Sequence, residues 1–462
     1  MLSFLTAHDV RRLAFDEKGL NLSHRVWSLV ILISLLVPLA TGCRPVPLPV
    51  LAAGEDVNRL DPAGSEVILW HSFAGPDADA LSALVDEFNA TNSWHIVVVP
   101  QYQGVYPTLR NRLQDALDRG AAPDLVTLYP YHAAAYVSRG AAVTLDAYAS
   151  NARFGLNDAD RGDILPVFLN SDRDPQLGGQ LVGFPMERSA MVLYYNADWL
   201  KSLGYQDPPL TWPAFKDMCQ HASVDENSDG VPETYGYAMV PDAWAFSALV
   251  LSRGGTLVSE DARQSRFNST EGTRAMNILR DIFPFRQAYI AQGRTWDRVD
   301  FAKGKTLFTI APSNELPAYK TAVEQGGLFR WGIAPLPHNT PAPVSIFVGQ
   351  SWTIFKTTPR RQLAAWLFIR WFTGVNQTRR WAEATTTLPL RASAAQAMSK
   401  KDADPNILIA LSLLPFGQSE PAVAGWEPAR EVLADAMRAV AGGQAPAAAL
   451  EQAGAKVNPL LK

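Results

Sequence analysis

Cysteine is almost absent from this chain: Cys43 and Cys219 are the only two among 462 residues. A fold of this length therefore does not depend on a disulfide framework. An excess of basic charge is also missing. Lys and Arg number 41 against 45 Asp and Glu, for a net charge of −4, and nothing in that balance draws nucleic acid. Long apolar runs are lacking as well. The longest, Val26 to Ala40, is about 15 residues, short of the roughly 20 that a membrane-spanning helix needs. Motifs of catalysis are equally scarce. None of the seven His belongs to an H-E-x-x-H, there is no phosphate-binding Walker loop, and Gly349-Gln350-Ser351 continues with Trp352 and Thr353, which is not G-x-S-x-G. Carboxylates are plentiful, so a secreted carbohydrate-active enzyme with a glycosidase pair stays open as an alternative.

What is present begins at the amino terminus. Arg11, Arg12, Lys18 and Arg25 precede the apolar run, and Leu39-Ala40-Thr41-Gly42-Cys43 closes it. Basic residues, a short apolar stretch and small residues before a cut site make a secretory signal. Small residues ending in Cys resemble the bacterial lipobox, in which the new N-terminal Cys43 receives lipid. Leu39 stands one position earlier than in the usual pattern. The stretch before the run is long and carries Asp9, Asp16 and Glu17, which fits a translation start downstream of Met1. Residues 1–43 are thus expected to be a signal peptide, and the Pro-rich residues 44–64 a tether to the cell membrane. Lipidated Cys43 would leave Cys219 unpaired, as a buried thiol in the helical stretch after Trp212.

The chain as a whole has the composition of a globular protein, 47% hydrophobic and 19% charged, and its folded part opens at Ser65. Val67 to Leu69, His95 to Val99 and Asp124 to Leu128 read as strands. Between and after them, Ala78 to Ala90, Leu109 to Leu117 and Tyr131 to Arg139 carry apolar residues at helical spacing. That alternation predicts a mostly parallel sheet with helices on its faces. Further on, Leu181 to Asn196 is strand-like around Gly183 and Pro185. Thr211 before Trp212-Pro213 predicts a capped helix start. Leu307–Ile310 and Trp331–Leu336 read as buried strands. Arg361 to Ala384 reads as two helices broken near Gly374, with further helices over Ala429–Val440 and Pro446–Val457.

Several strings occur in one order along nearly the whole mature chain: WHSFAGP at Trp70–Pro76, LVDEFNATN at Leu84–Asn92, QYQGVY at Gln101–Tyr106, APDLVTLYP at Ala122–Pro130, VLYYNADWLKSLG at Val192–Gly204, TWPAF at Thr211–Phe215, WGIAPLPH at Trp331–His338, AAWLFIRWF at Ala364–Phe372 and LPLRASA at Leu388–Ala394. This ordered set resembles extracellular solute-binding proteins of the sugar-binding type, in the maltose and glycerol-3-phosphate group, which serve ATP-driven (ABC) importers. The resemblance implies an α/β, periplasmic-binding-protein-like (type II) fold. Two discontinuous lobes would enclose a cleft, the first from residues 65–186 plus 352–391 and the second from 187–351 plus 392–462. It implies a monomeric, non-catalytic receptor outside the cytoplasm, held to the membrane by its lipid, with a carbohydrate ligand, permease subunits as partners and no required cofactor.

Ligands of open α/β sheets sit beyond the carboxyl ends of strands. Trp70, His71, Ser72 and Phe73 are read as following the first strand, Tyr102 and Tyr106 the second, and Tyr129 and Tyr131 the third. Aromatic faces suit the C–H faces of a sugar, although aromatics also pack cores. Glu187 and Arg188 at the first crossover are expected either to clasp hydroxyls or to pair across a hinge. Trp244, Ser313, Asn314, Glu315, Gly349, Gln350, Ser351 and Trp426 complete the candidate ligand set. By resemblance, Tyr106, Ser313 and Gly349 match ligand positions of the glycerol-3-phosphate binder. Its acidic position falls on Pro130, and its phosphate-binding Arg would fall within Glu420–Gly425, which holds no Arg. That favours a neutral sugar over a glycerol-3-phosphate-like solute.

One metal candidate stands apart. Asp225, Asn227, Asp229, Gly230 and Glu233 follow D-x-N-x-D-G-x-x-E, most of a calcium loop, with Gly236 where the bidentate Glu should stand. Structural calcium and an Asx-rich surface turn are both open. At the other end of the molecule, Cys43→Ala is expected to abolish labelling by a radioactive lipid precursor and to release the protein from membranes. Undiminished labelling would remove Cys43 from the lipid site.

Overall fold

A computed structural model describes residues 57–400 and 402–462. The signal peptide, Cys43 and most of the expected tether lie outside the described residues. The last part of that tether is folded: Val57 is buried in the core beneath the first sheet, and the Gly64 N–H donates to the Trp94 carbonyl at 2.9 Å. No helix among the described residues is long and apolar enough to cross a membrane.

Strands β1 (Glu66–His71), β2 (Val97–Tyr102) and β3 (Leu125–Leu128) are mutually parallel, with β1 in the middle. The central strand β1 alternates, turning Val67, Leu69 and His71 into the core. All four residues of β3 are buried, as expected of a strand covered on both faces. Helix Pro76–Thr91 follows β1 and packs through Leu81, Leu84, Val85 and Phe88. A short hairpin, β4 (Arg173–Asp174) with β5 (Gln180–Leu181), precedes β6 (Phe184–Pro185).

Through Met186–Arg188 the chain enters a second sheet at β7 (Ser189–Asn196). There follow β8 (Tyr235–Met239), β9 (Ala288–Ile290), β10 (Thr306–Pro312), β11 (Trp331–Ala334) and β12 (Ser345–Val348). After Gly349-Gln350 the chain returns to the first sheet as β13 (Ser351–Ile354), between β3 and β6. The first sheet is ordered β2-β1-β3-β13-β6. The second is ordered β14-β12-β7-β10-β8-β9, with β11 also on β7 and β14 (Gly417–Gln418) closing the edge. Both far edges, β2 and β9, lie away from the crossovers.

Helices Pro359–Phe372 and Val375–Thr385 cover the first sheet, and Gly374 sits at the break that the sequence marks. Trp352, Trp366 and Trp381 are all fully buried there. Helix Ala392–Met398 still packs on Val375–Thr385, whereas Pro405–Ser412 packs on β11 and β7. On the second sheet, helix Trp212–Ala222 is capped by Thr211, whose hydroxyl accepts from the Ala214 N–H. This helix lies so close to β8 that a Cβ on Gly236 would stand 2.2 Å from the Cys219 Cα. Cys219 is accordingly buried, and burial pushes its thiol well above the usual range.

The crossovers meet at Arg188, whose side chain is 1% exposed. Its Nη1 donates to the carbonyls of Glu187 (2.6 Å) and Gln350 (3.0 Å). Its Nη2 reaches the Ser171 and Ser351 hydroxyls (2.6 and 3.1 Å) and pairs with Asp172, while Nε also donates to Ser171 (3.2 Å). Both crossing segments and the hairpin thus hang on one guanidinium. Gly349 lets the strands cross, since a Cβ there would lie 2.3 Å from the Glu187 carbonyl oxygen.

Removing one member of a buried pair strands the other, at a cost of roughly 3–5 kcal/mol. Arg188→Ala is therefore expected to destabilise the protein by that much in urea titrations, and Arg188→Ala with Asp172→Ala by clearly less. Equal losses in the single and double variants would refute the pairing as the source of stability.

Candidate functional site

The carboxyl ends of β1, β2 and β3 face those of β8, β9 and β10 across the gap between the two sheets. From the first sheet comes Tyr129, just past β3, placed there because Pro130 opens a helix (Pro130–Ser138) directly behind it. From the second comes Trp244, in the first turn of helix Ala243–Leu251, whose N-cap Asp242 accepts from the Ala245 N–H. The two rings stand 5.7 Å apart. Tyr129 also stacks on Tyr131 at 5.7 Å and meets Tyr106 edge-on at 4.8 Å. Arg430 lies between Tyr131 and Trp244, 4.9 and 5.0 Å from the two rings, and Arg294 lies 5.4 Å from Trp244 on another side. Such cation–aromatic contacts each contribute about 0.5–2 kcal/mol.

Tyr129, Trp244, Arg188 and Gly349 line one small cavity together with Tyr131, Ser171 and Glu420. Its volume, about 20 Å³, admits one water and no sugar. The two halves are therefore closed on each other, and any larger ligand enters only when they separate.

Glu187 stands at the hinge end of this region. Its Oε2 accepts from the Trp381 indole N–H at 3.1 Å, and Trp381 in turn packs edge-on against Phe73 at 5.1 Å. Burial raises the Glu187 carboxyl to about 7, with nearby Asp77 pushing the same way and the indole bond opposing. Near neutrality this side chain can both donate and accept, which suits hydroxyl recognition. Ser72 is half-buried beside Phe73.

Several residues read from the sequence as ligand contacts are placed otherwise. Strand β1 runs on to His71, so Trp70 lies within the sheet, packed near Tyr106, with its indole N–H donating to Gln101 at 2.9 Å. Strand β2 likewise extends to Tyr102, which is exposed at its tip. The Tyr106 hydroxyl accepts from the Tyr129 backbone N–H (3.0 Å) and bonds the His132 ring (2.8 Å). All five N–H groups of Arg188 are engaged within the hinge. Ser351 is engaged there too, and the Ser313 hydroxyl accepts from the Ala190 N–H inside the second sheet. Asn314 is exposed, and Glu315 pairs with Arg298. Trp426 is fully buried in the second core, near Glu420. Gln350 is buried with its Oε1 unpartnered.

The acidic loop Asp225–Glu233 is a tight turn held by its own side chains. Glu233 accepts from the Glu226 N–H and the Asn227 amide, Asp225 from the Gly230 N–H, and Asp229 from the Val231 N–H. Each amide takes one carboxylate oxygen and Asp225 Oδ1 stays buried without a partner, with Gly230 in the left-handed region at φ 85°. No group of three His, Cys, Asp or Glu among the described residues is placed to hold a metal ion.

Glu420, Arg430, Arg294 and Trp381 escaped the sequence reading. Arg430 carried one signal: it falls four residues after Trp426, beside the apolar stripe of helix Trp426–Ala441.

The sequence profile of a family described as bacterial extracellular solute-binding protein matches residues 83–408. A putative binding protein of Brucella abortus is 23% identical over 89% of this chain and 95% of its own length. The sn-glycerol-3-phosphate-binding periplasmic protein UgpB of Pectobacterium atrosepticum is 22% identical over 78% of this chain and 80% of its own. Among solved structures, the cyclic alpha-maltosyl-1,6-maltose binding protein of Arthrobacter globiformis superposes with a TM-score of 0.73 at 20% identity, covering 86% of this chain and 99% of that one. UgpB of Mycobacterium tuberculosis, in complex with glycerophosphocholine, gives 0.69 at 18% identity, covering 86% and 98%.

Glu187 sets a pH test. The folded protein keeps its proton up to about pH 7, whereas the unfolded chain releases it near 4.5. Its presence costs nothing below that lower value, and the cost grows as pH rises through 7, to roughly 3 kcal/mol at most. Glu187→Gln, which keeps an acceptor for Trp381, is expected to melt like the parent at pH 4.5 and at higher temperature at pH 8. A variant that gains nothing at pH 8 would contradict the buried acid.

Proposed function

Because the chain belongs to the bacterial extracellular solute-binding proteins, we propose that it captures a neutral sugar or oligosaccharide between two lobes and delivers it to the permease of an ABC importer. The observation that carries this reading is the meeting of Tyr129 and Trp244 at 5.7 Å from opposite sheets, with Glu187 beside them. Aromatic rings from both sheets and a carboxyl able to donate and accept are what a ring with apolar faces and hydroxyl edges requires. The family's solved relatives include binders of maltose-type sugars, such as the Arthrobacter globiformis protein, and this supports the same class. Ser72, Phe73, Tyr129, Glu187, Trp244 and Gln350 are the residues assigned to the ligand. Arg188, Gly349 and Ser351 serve the hinge, and Trp70, Ser313 and Trp426 pack. The lobes divide at Met186–Arg188, at Gly349-Gln350 and in the stretch between the helices Ala392–Met398 and Pro405–Ser412. Lipidated Cys43 would keep the receptor at the membrane. The protein turns over no substrate in this reading.

An organophosphate ligand, as the name of the UgpB relatives suggests, would need an uncommitted cation in the cleft. The two guanidiniums beside Trp244 are both matched: Arg294 pairs with Asp242 and Arg430 with Glu420. Their neutralisation favours an uncharged ligand.

A thermal-shift screen over mono- to hexasaccharides of differing linkage, with glycerol-3-phosphate and glycerophosphocholine alongside, tests the proposal, because a ligand of the native state raises the melting temperature. A sugar hit is expected. Tyr129→Ala or Trp244→Ala should weaken its binding by roughly tenfold, the loss of an aromatic contact and its buried area. A response to the phosphates alone, or sugar affinity unchanged in both variants, would overturn the assignment.

A further inference from the structure

Glu427 opens the helix Trp426–Ala441 of the second lobe and reaches across to two helices of the first. Its Oε1 pairs with Arg110 Nη1 at 2.7 Å, and its Oε2 lies 3.2 Å from His132 Nε2. Arg110 belongs to helix Tyr106–Asp118 and His132 to helix Pro130–Ser138, which follow β2 and β3. Behind His132 the hydrogen bonds fix a direction. The Tyr129 N–H donates to the Tyr106 oxygen, so the Tyr106 hydroxyl proton is free to donate to His132 Nδ1. That leaves the imidazole proton on Nε2, 3.2 Å from the Glu427 carboxylate. Neither Glu427, Arg110 nor His132 lines the cavity between Tyr129 and Trp244.

We propose that Glu427 is a positioning residue for ligand capture: a polar clasp that sets how much of the ligand-free protein is closed, and so sets affinity without touching the ligand. Its effect on affinity rests on the receptor reading above. Its effect on closure does not. When only a fraction of molecules is competent to hold ligand, the apparent dissociation constant scales inversely with that fraction. The Arg110 and Glu427 side chains are about one-third exposed, at 35% and 34%. The clasp is therefore weakened by salt and light enough to open.

The charged and titratable groups around His132 are Arg110 and Tyr106 on one helix, Tyr131 on its own, and Glu427 and Arg430 on the third. Burial lowers His132 below its usual value and outweighs the pull of Glu427 upward. For Glu427 burial acts upward but is outweighed by His132, Arg110 and Arg430, which hold it at about 2, so it stays charged. A neutral His132 also agrees with the Tyr106 hydroxyl donating to Nδ1, since a proton on that nitrogen would displace it.

Small-angle scattering on the mature, ligand-free protein tests this. The parent is expected to be compact at low salt, and to expand at 0.5 M salt. Glu427→Gln, and independently Arg110→Gln from the other side, should be expanded at low salt and respond less to salt. For any sugar found in the screen, Glu427→Gln should tighten binding by roughly two- to fivefold, because the clasped form, with its cavity of about 20 Å³, holds no sugar and competes with the ligand. Equal radii of gyration for parent, Glu427→Gln and Arg110→Gln at low salt would overturn the clasp. Failure of every sugar to bind, with the difference in radius intact, would overturn the receptor reading and leave the clasp standing.

Discussion

The buried ion pair of Arg188 and Asp172 holds two crossing backbones and a hairpin at one point. Arg188 bonds carbonyls from both crossovers and hydroxyls from both Ser171 and Ser351. A guanidinium can do this because its five donors radiate in a plane, and an ammonium could not. Burying such a charge is costly unless every donor is met, and here each one is. Because the bonds all radiate from the crossing point, they change little when the lobes rotate about it. The hinge can therefore be both polar and persistent.

Away from that point the two lobes touch through a different kind of surface. Tyr106, Tyr129 and Tyr131 from one side meet Trp244, Arg430 and Glu427 from the other. Aromatic and cation–aromatic contacts are broad and tolerant of displacement, whereas a carboxylate–guanidinium contact is short-ranged in water and salt-dependent. A cleft closed by these means sits near balance between open and closed. That is the condition under which a modest ligand can decide the outcome.

Much of this architecture is legible in the chain because it is local. Thr211 before Trp212-Pro213, Gly374 between two apolar helices and Pro446 at a helix start each mark a boundary through the chemistry of the adjoining residues, and the helices begin where they say. Strand ends are less legible: Trp70 and His71 look like loop aromatics but end the central strand β1, and Tyr102 ends the edge strand β2. The roles of Arg188 and Ser313 could not be read, since Arg188 finds partners 16 and 162 residues away and Ser313 finds one 123 residues away. For the same reason the matching of Arg430 with Glu420, and its place between two rings, depends on a fold that brings distant segments together. The loop Asp225–Glu233 shows the converse. Its side chains bond backbone amides only a few residues away, so the turn is legible from local spacing.

Gly236 is the position where the helix Trp212–Ala222 rests directly on β8, with no Cβ to separate them. Contact this close leaves the helix nowhere to slide, so the second lobe turns as one piece. It then acts as a lever whose fulcrum is the crossover at β7. Strand β9 lies three positions along the sheet from β7, a distance of roughly 14 Å at the usual strand spacing, so each degree of rotation carries it about 0.25 Å. Motion is greatest at the outer lip and smallest at the hinge. The lip strands, exposed on their outer edges, are therefore where an open receptor and a loaded one differ most in outline.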